Sequence, residues 1–96
     1  MPVFAVEYHY DPDLAGVRDE HRPAHRAWLA DLVAAGTVLE SGPYPDGSGA
    51  LLLFTGTDID DVTTVLANDP FAAAGAIADT RVTEWRPIMG PFTGRG

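Results

Sequence analysis

The chain contains no cysteine and is poor in basic residues. Without cysteine it forms no disulfide, has no thiolate nucleophile and offers no sulfur ligand to a metal. Six basic residues stand against fourteen acidic ones, so the formal net charge is -8. Because a surface of that sign repels phosphate groups, we expect neither nucleic acid nor an anionic membrane as a partner.

The chain also lacks an apolar run long enough to cross a bilayer. Its opening residues, Met-Pro-Val-Phe-Ala-Val, lack the basic start and the cleavage site of a signal peptide, so we expect a cytoplasmic protein. The 96 residues suffice for one modest core, and we predict a single domain over residues 1–96. Residues 87–96 are rich in glycine and proline and are expected to form an arm or a flexible tail.

Hydrophobic periodicity predicts four strands. They cover residues 3–10, 37–41, 50–55 and 76–86. With one helix after the first strand and another after the third, the order is β-α-β-β-α-β. This order is typical of the ferredoxin-like α+β fold, in which two helices cover one face of an antiparallel sheet.

The helix boundaries are predicted from capping and helix-breaking residues. The first helix ends at about Ala35, and Pro23 is placed in its first turn, where a missing N–H costs nothing. Asp19 or His21 could cap it, and a preceding helical turn from Val17 is an alternative. Residues 13–18 are then expected to form a loop.

Thr57 and Asp60 resemble a capping box that starts the second helix, which ends where Asn-Asp-Pro breaks the helical pattern.

The predicted third strand carries four consecutive apolar residues, at 51–54. Such a strand needs cover on both of its faces, and one layer of helices covers only one. A chain of this length provides no second sheet. We therefore predict a homodimer in which the sheets of two copies meet.

The densest group of titratable side chains lies at residues 21–25, His-Arg-Pro-Ala-His. At about 100° per residue, His25 falls within the apolar stripe of the first helix and points at the sheet. The stripe is formed by Trp28, Leu29 and Leu32. Histidine titrates near neutral pH and commonly acts as a general acid or base, although a lone histidine on such a face is more often a satisfied core residue.

A partner for His25 is not evident from topology. Two helices on one face of the sheet run roughly parallel, which places His25 near the start of the first helix and Asp69 at the end of the second. These positions keep the two side chains apart unless the chain folds back after Asp69. Asp69 could also serve only as the cap of a turn at residues 70–74.

Three segments resemble the motifs of the YciI-like family, whose members are small proteins with the dimeric α/β-barrel fold. The segments are Arg22-Pro23-Ala24-His25, Ser41-Gly42-Pro43-Tyr44-Pro45 and Asp69-Pro70-Phe71-Ala72-Ala73-Ala74-Gly75. Their order and spacing match across nearly the whole chain. Relatives include a dehydrochlorinase of chlorinated hydroxyquinols, so the resemblance implies a small-molecule enzyme.

The resemblance also implies a set of site residues. The proposed His–Asp active site of the family maps onto His25 and Asp69. Residues implied in substrate binding are Arg22, Ser41, Gly42 and Pro43. Apart from the resemblance, the aromatic residues are candidate pocket walls or core residues; they are Tyr8, Tyr44 and Phe71. The family usually carries alanine where this chain has Ser41.

The chemistry of these residue types fits proton transfer. A carboxylate that accepts one ring N–H fixes the histidine tautomer and leaves the other nitrogen free to take a proton. Arg22 could hold a carboxylate, phenolate or enolate oxygen, or it could form a surface salt bridge with Asp19 or Glu20. We predict a cofactor-independent lyase, isomerase or dehydrochlorinase-like enzyme for a small aromatic or enolisable substrate. The alternative is a non-catalytic dimeric module that binds a small ligand or serves another enzyme.

Metal binding is a rival interpretation of the first helix. His21 and His25 are four residues apart, and His9 or Glu7 could supply a third ligand. The pair lacks the glutamate of an H-E-x-x-H motif, and a proline lies between the two histidines. We therefore expect no metal, while haem ligation by His25 is a further alternative.

Overall fold

The computed structural model describes residues 1–94 as a four-stranded antiparallel sheet with helices packed on one face. The strands are β1 (Val3–His9), β2 (Val38–Pro43), β3 (Gly49–Thr55) and β4 (Asp79–Trp85), in the spatial order β2-β3-β1-β4. The helices are α1 (Ala15–Ala34), α2 (Ile59–Leu66) and α3 (Pro70–Ala73), and a short 3-10 helix, Pro12–Leu14, precedes α1. The predicted ferredoxin-like α+β arrangement is confirmed.

The core lies between the sheet and the helices. In β1 and β3 every second residue faces the helices, so that Phe4 lies opposite Phe54 and Val6 lies opposite Leu52. All four side chains are at most 2% exposed. On the other face of the same strand, Leu51 is 39% exposed. A single chain therefore covers one side of the apolar strand and leaves the other side open.

The first helix begins earlier than predicted. Residues 13–18 are not a loop, because the 3-10 helix, capped by Asp11, leads directly into α1 at Ala15. Pro23 lies inside the helix instead of in its first turn. A proline there removes the bond to the carbonyl of Asp19, but both residues are exposed, so water can satisfy that carbonyl.

Two strand boundaries also differ from the prediction. β2 continues through Gly42 and Pro43, which were assigned to the connection. Since β2 is an edge strand, a proline at its end costs no bond of the sheet. β4 begins at Asp79 and not at residue 76, because the backbone of Ala76 is used elsewhere: its N–H bonds to the carbonyl of Phe71 and its carbonyl accepts a side chain of α1.

The cap of α2 is displaced by one residue from the predicted capping box. The side chain of Asp58 accepts the backbone N–H of Asp61 at 2.8 Å, and the side chain of Asp61 accepts the N–H of Thr57 at 3.0 Å. This is the reciprocal pattern of a capping box, with carboxylates in both roles. Asp60 takes no part in these two bonds.

After β4 the chain continues as irregular structure. Pro87 is buried, whereas Ile88 and Met89 are 69% and 93% exposed. The predicted tail, residues 87–96, is described to residue 94, and residues 95 and 96 lie outside the described part. Among the helices of residues 1–94, none combines the length and the hydropathy that crossing a bilayer would require.

Candidate active site

The centre of the site is the carboxylate of Asp69, which is fully buried. Asp69 is the N-cap of α3, and its Oδ1 accepts the backbone N–H of Phe71 at 2.9 Å. Oδ2 accepts the hydroxyl of Tyr8 at 2.7 Å. Oδ1 also lies 2.7 Å from Nδ1 of His25. Three separate elements, β1, α1 and α3, thus converge on one carboxylate, which compensates the cost of burying its charge.

The proximity of His25 to Asp69 follows from two features of the helices. Because α1 starts at Ala15, His25 is the eleventh of its twenty residues and lies in the middle of the helix, not near its predicted start. The chain after Asp69 also packs back, as α3, against α1. This is the exception that the topological argument left open, and it brings the two side chains together.

The ring of His25 is held on both its edge and its face. Its Nδ1 is paired with Asp69, and its face stacks on Phe71 with ring centroids 3.9 Å apart and planes 3° from parallel. The residue is 9% exposed. Within residues 1–94, Nε2 has no hydrogen-bond partner. The arrangement fixes the ring and leaves one nitrogen available to a bound molecule.

A cavity of about 450 Å³ lies beside His25, between α1 and β2. Its walls include several residues that the sequence singled out. They are Arg22, His25, Ser41, Gly42, Pro43 and Phe71. The remaining walls are Tyr10, Arg26, Leu29, Ala30, Val33, Leu39, Glu40 and Ala50. The volume is within the usual range for small-molecule sites.

Arg22 both forms a surface ion pair and lines the cavity. Its guanidinium forms an ion pair with Asp19, one helical turn earlier, as the alternative interpretation predicted. It also lines the cavity beside His25. Because the pair is solvent-exposed, it contributes little to stability and leaves the guanidinium able to reorient toward an anion.

Tyr8 lies behind the site and not in its wall. Its hydroxyl is bonded to Asp69, and its ring borders a second cavity, of about 470 Å³, between α2 and β4. The other residues of that second cavity carry no ionisable group; they are Ile59, Thr63, Leu66, Ala67, Ala72, Ile77, Thr80 and Val82. Tyr8 can therefore affect the cavity beside His25 through Asp69.

Sequence reasoning missed Tyr10 and Arg26 as walls of this cavity. Tyr10 follows Tyr8 by two residues, and this spacing puts both rings on the same face of the strand. The spacing could have identified Tyr10 as a neighbour of the site. Burial and the charge of Asp69 raise the pKa of Tyr10, while the guanidiniums of Arg18 and Arg22 oppose that shift. Its hydroxyl therefore stays protonated at neutral pH and can donate to a ligand.

Arg18 was also missed, because its position was assigned to a loop. It is 5% exposed and lies two helical turns before His25. Its guanidinium donates to the carbonyls of Asp11 and Ala76, at 3.0 and 3.2 Å, and covers the ring of Tyr10 at 4.3 Å from the centroid. Arg18 thus ties the loop after β1 and the segment after α3 to α1, and it supports the side of the site that carries Asp69.

The metal interpretation would require three ligands close together. Across the described residues, no three histidine or acidic side chains converge in a way that could hold an ion. His25 already uses Nδ1 for Asp69. The geometry at His25 is thus that of a histidine hydrogen-bonded to a carboxylate.

The fold and this buried pair place the chain among the small ferredoxin-like α+β domains. The model of one such family, the YCII-related domain, matches residues 2–86, and the chain belongs to that family. The resemblance to the YciI-like family is confirmed. No protein of curated function matches the chain at a significant level.

A solved structure supports the same assignment. The chain is similar to 5-chloro-2-hydroxyhydroquinone dehydrochlorinase (TftG) from Burkholderia phenoliruptrix AC1100, which was solved in complex with 2,5-dihydroxybenzoquinone. The TM-score is 0.78 and the sequence identity is 29%, over 88% of this chain and 93% of that chain.

The bond between Tyr8 and Asp69 predicts a pH dependence of stability. Burial, the charge of Asp69 and the hydrogen bond to it raise the pKa of Tyr8 above its ordinary value near 10. The resulting stabilisation is complete below about pH 10 and is lost above it, where the unfolded tyrosine ionises and the folded one does not. In Tyr8→Phe the free energy of unfolding should therefore decrease less steeply with pH above about pH 10.

Urea unfolding from neutral to alkaline pH measures how steeply the free energy of unfolding decreases. Tyr44→Phe, at a half-buried ring, should keep most of the decrease seen in the wild type. Equal slopes in the wild type and in Tyr8→Phe would contradict the prediction.

The contacts of Arg18 predict a structural cost for its removal. In Arg18→Gln, the loss of two bonds from a charged donor and of the stacking on Tyr10 should lower the free energy of unfolding by about 1.5–3 kcal/mol. Arg86→Gln removes the same charge from an exposed position and should change it by less than about 0.5 kcal/mol. Urea denaturation measures both variants. An equal effect in the two would show that charge, and not these contacts, is responsible.

Proposed function

We propose that the chain is a cofactor-independent enzyme that transfers a proton on a small aromatic or enolisable substrate. The observation that carries this proposal is the buried His25, whose Nδ1 is paired with Asp69 while its ring borders the cavity. With Nδ1 engaged, Nε2 is the nitrogen that takes or returns a proton. Histidine in this setting is a typical general acid or base.

The reaction begins when Nε2 of His25 removes a proton from a hydroxyl group or from a carbon next to a carbonyl. The anion that remains has negative charge on oxygen, and Arg22 lies at the cavity wall to stabilise it. That anion either takes the proton back from His25 at another carbon, which is isomerisation, or expels a leaving group such as chloride from the carbon next to its carbanion carbon, which is elimination. In the second case a double bond forms as the carbon–chlorine bond breaks, and His25 then releases its proton to water. Asp69 acts through His25 by holding the ring and its tautomer.

The similar dehydrochlorinase supports this class of substrate. Its name specifies a chlorinated hydroxyhydroquinone, and its structure contains a dihydroxybenzoquinone. Both are small rings with acidic oxygens. In this chain, Ser41, Gly42 and Pro43 line the cavity opposite α1, where they would position such a ring, and Phe71 closes the side next to His25. Tyr8 contributes by holding the second oxygen of Asp69.

One observation favours the alternative of a non-catalytic binding module. Asp69 caps α3 through the N–H of Phe71, and a structural role alone would account for that bond. In that case, the wild type would turn over no substrate, and substitutions at His25 and Asp69 would change only the stability of the chain. Measuring both turnover and the free energy of unfolding on the same variants therefore distinguishes the enzyme from the binding module.

The catalytic proposal predicts the behaviour of two variants. His25→Ala and Asp69→Ala should lower kcat by about 10²–10⁴-fold, because the first removes the base and the second removes the carboxylate that holds the ring and its tautomer. Turnover is measured by the absorbance change of hydroxyquinol and chlorohydroxyquinol substrates, and circular dichroism checks the fold. His21→Ala, one turn earlier on α1 and outside the cavity wall, should keep wild-type turnover. Undiminished turnover in folded His25→Ala would refute the role of the base.

We also propose that the enzyme works as a homodimer formed through the open face of the sheet. The side chains exposed there include Leu51 at 39% and Trp85 at 42%. Covering this face with a second copy would bury apolar surface that the helices of one chain do not reach.

The dimer predicts a sedimentation result. At micromolar concentration the wild type should sediment as a dimer, and Leu51→Asp should sediment as a monomer, because a buried unpaired charge opposes association. Ile59→Asp places the same charge at an exposed position of α2 and should leave the dimer intact. A wild-type monomer at this concentration would contradict the proposal.

A further inference from the structure

The basic residues of the chain are concentrated around the candidate site. The formal charge is -8 and only six residues are basic, yet three of them lie at positions 18, 22 and 26 of α1. Residues four apart on a helix form one stripe. Two of the three, Arg22 and Arg26, line the cavity, and an acidic chain that places a third of its cations in one cavity wall favours an anion there.

The three arginines are not equally available to a ligand. Arg18 is buried and bonded to two carbonyls, and Arg22 is paired with Asp19. Arg26 lines the cavity next to His25, and within residues 1–94 no acidic side chain lies at salt-bridge distance from it. Glu40 is the acidic residue of the cavity wall and is not paired with it. Arg26 is therefore the cation that a ligand can engage without breaking an existing pair.

Apart from Glu40, the cavity becomes apolar with distance from His25. Farther along α1 and the facing strand its walls are Leu29, Ala30, Val33 and Leu39. Val33 is 51% exposed although it is a large apolar residue. His25 and Val33 are eight residues apart, which corresponds to about 12 Å along a helix. That length exceeds one six-membered ring and leaves space for a substituent.

We propose that the ligand is an amphiphilic anion: an acidic ring whose oxygens bind Arg26, with an apolar arm of about four carbons along Leu29, Val33 and Leu39. The ring of the ligand lies against Phe71, with its reacting group at Nε2 of His25. This placement of the ring rests on the proposed function. The arm extends toward the end of α1 and is independent of that function. Arg26 sets the preference for an anion, and the apolar wall sets the preference for a substituted ring.

The first test measures anion recognition. The probe is 2,5-dihydroxybenzoquinone, an acidic ring that is ionised at neutral pH, and its dissociation constant is measured by calorimetry. Arg26→Gln should weaken binding about tenfold, because an arginine–oxyanion bond is lost from a partly solvated site. Arg86→Gln carries the same change of net charge away from the cavity and should bind like the wild type. Equal affinities of the two variants, or no binding to the wild type, would overturn the role of Arg26.

The second test measures the arm. The 3-butyl homologue of the same quinone should bind the wild type about tenfold more tightly than the parent, since half-burial of four carbons gives a gain of this order. Val33→Thr should remove much of that gain by making the wall polar at nearly constant volume. Ile59→Thr, at a similarly exposed residue of the second cavity, should preserve it. Equal binding of both ligands, or a gain that Ile59→Thr alone removes, would overturn the proposal.

These measurements separate the ligand from the reaction. Suppose that both quinones bind with the expected dependence on Arg26 and Val33, but that no substrate is turned over. This result would contradict the catalytic proposal and support the proposal of an amphiphilic anion as the ligand. Turnover of small hydroxyquinols with no preference for the butyl arm would do the reverse.

Discussion

The structure depends on one buried carboxylate. Asp69 is inaccessible to solvent and is reached by the hydroxyl of Tyr8, the backbone N–H of Phe71 and the ring of His25. Leaving such a group without donors would cost several kcal/mol, so β1, α1 and α3 can pack together only in the register that supplies all three. Folding and the geometry of the candidate site are thereby set by the same bonds.

This constraint explains why the geometry of the site depends on residues behind the cavity as well as on those in its wall. Tyr8 and the cap of α3 hold Asp69, and Asp69 holds His25. Arg18 secures the segment that follows α3, through the carbonyl of Ala76. The cavity wall itself is open and carries the groups that would meet a ligand. A rigid support beneath an adaptable wall is what a proton-transfer site requires, because the base must be oriented before substrate arrives.

The sequence was sufficient for the sheet and for six of the fourteen residues that line the cavity. Alternation predicted β1, a run of consecutive apolar residues predicted β3, and the resemblance to the YciI-like family supplied His25 with Asp69 as a pair. Periodicity could not predict their contact, since the reversal between α2 and α3 is a tertiary feature. Arg18 was missed for a related reason: a proline at position 23 locally favours a helix start, and only the exposed surroundings of Pro23 allow the helix to continue through it.

The central claim is that Asp69 fixes the tautomer of His25, and ¹⁵N NMR of the histidine ring nitrogens tests it directly. In the neutral ring of the wild type we expect the proton on Nδ1, because a carboxylate can only accept from the ring. In Asp69→Ala the ring has no carboxylate to donate to, and the fraction of the neutral ring with its proton on Nε2 should rise. A wild-type ring protonated only at Nε2, or a tautomer that does not respond to Asp69→Ala, would contradict the account.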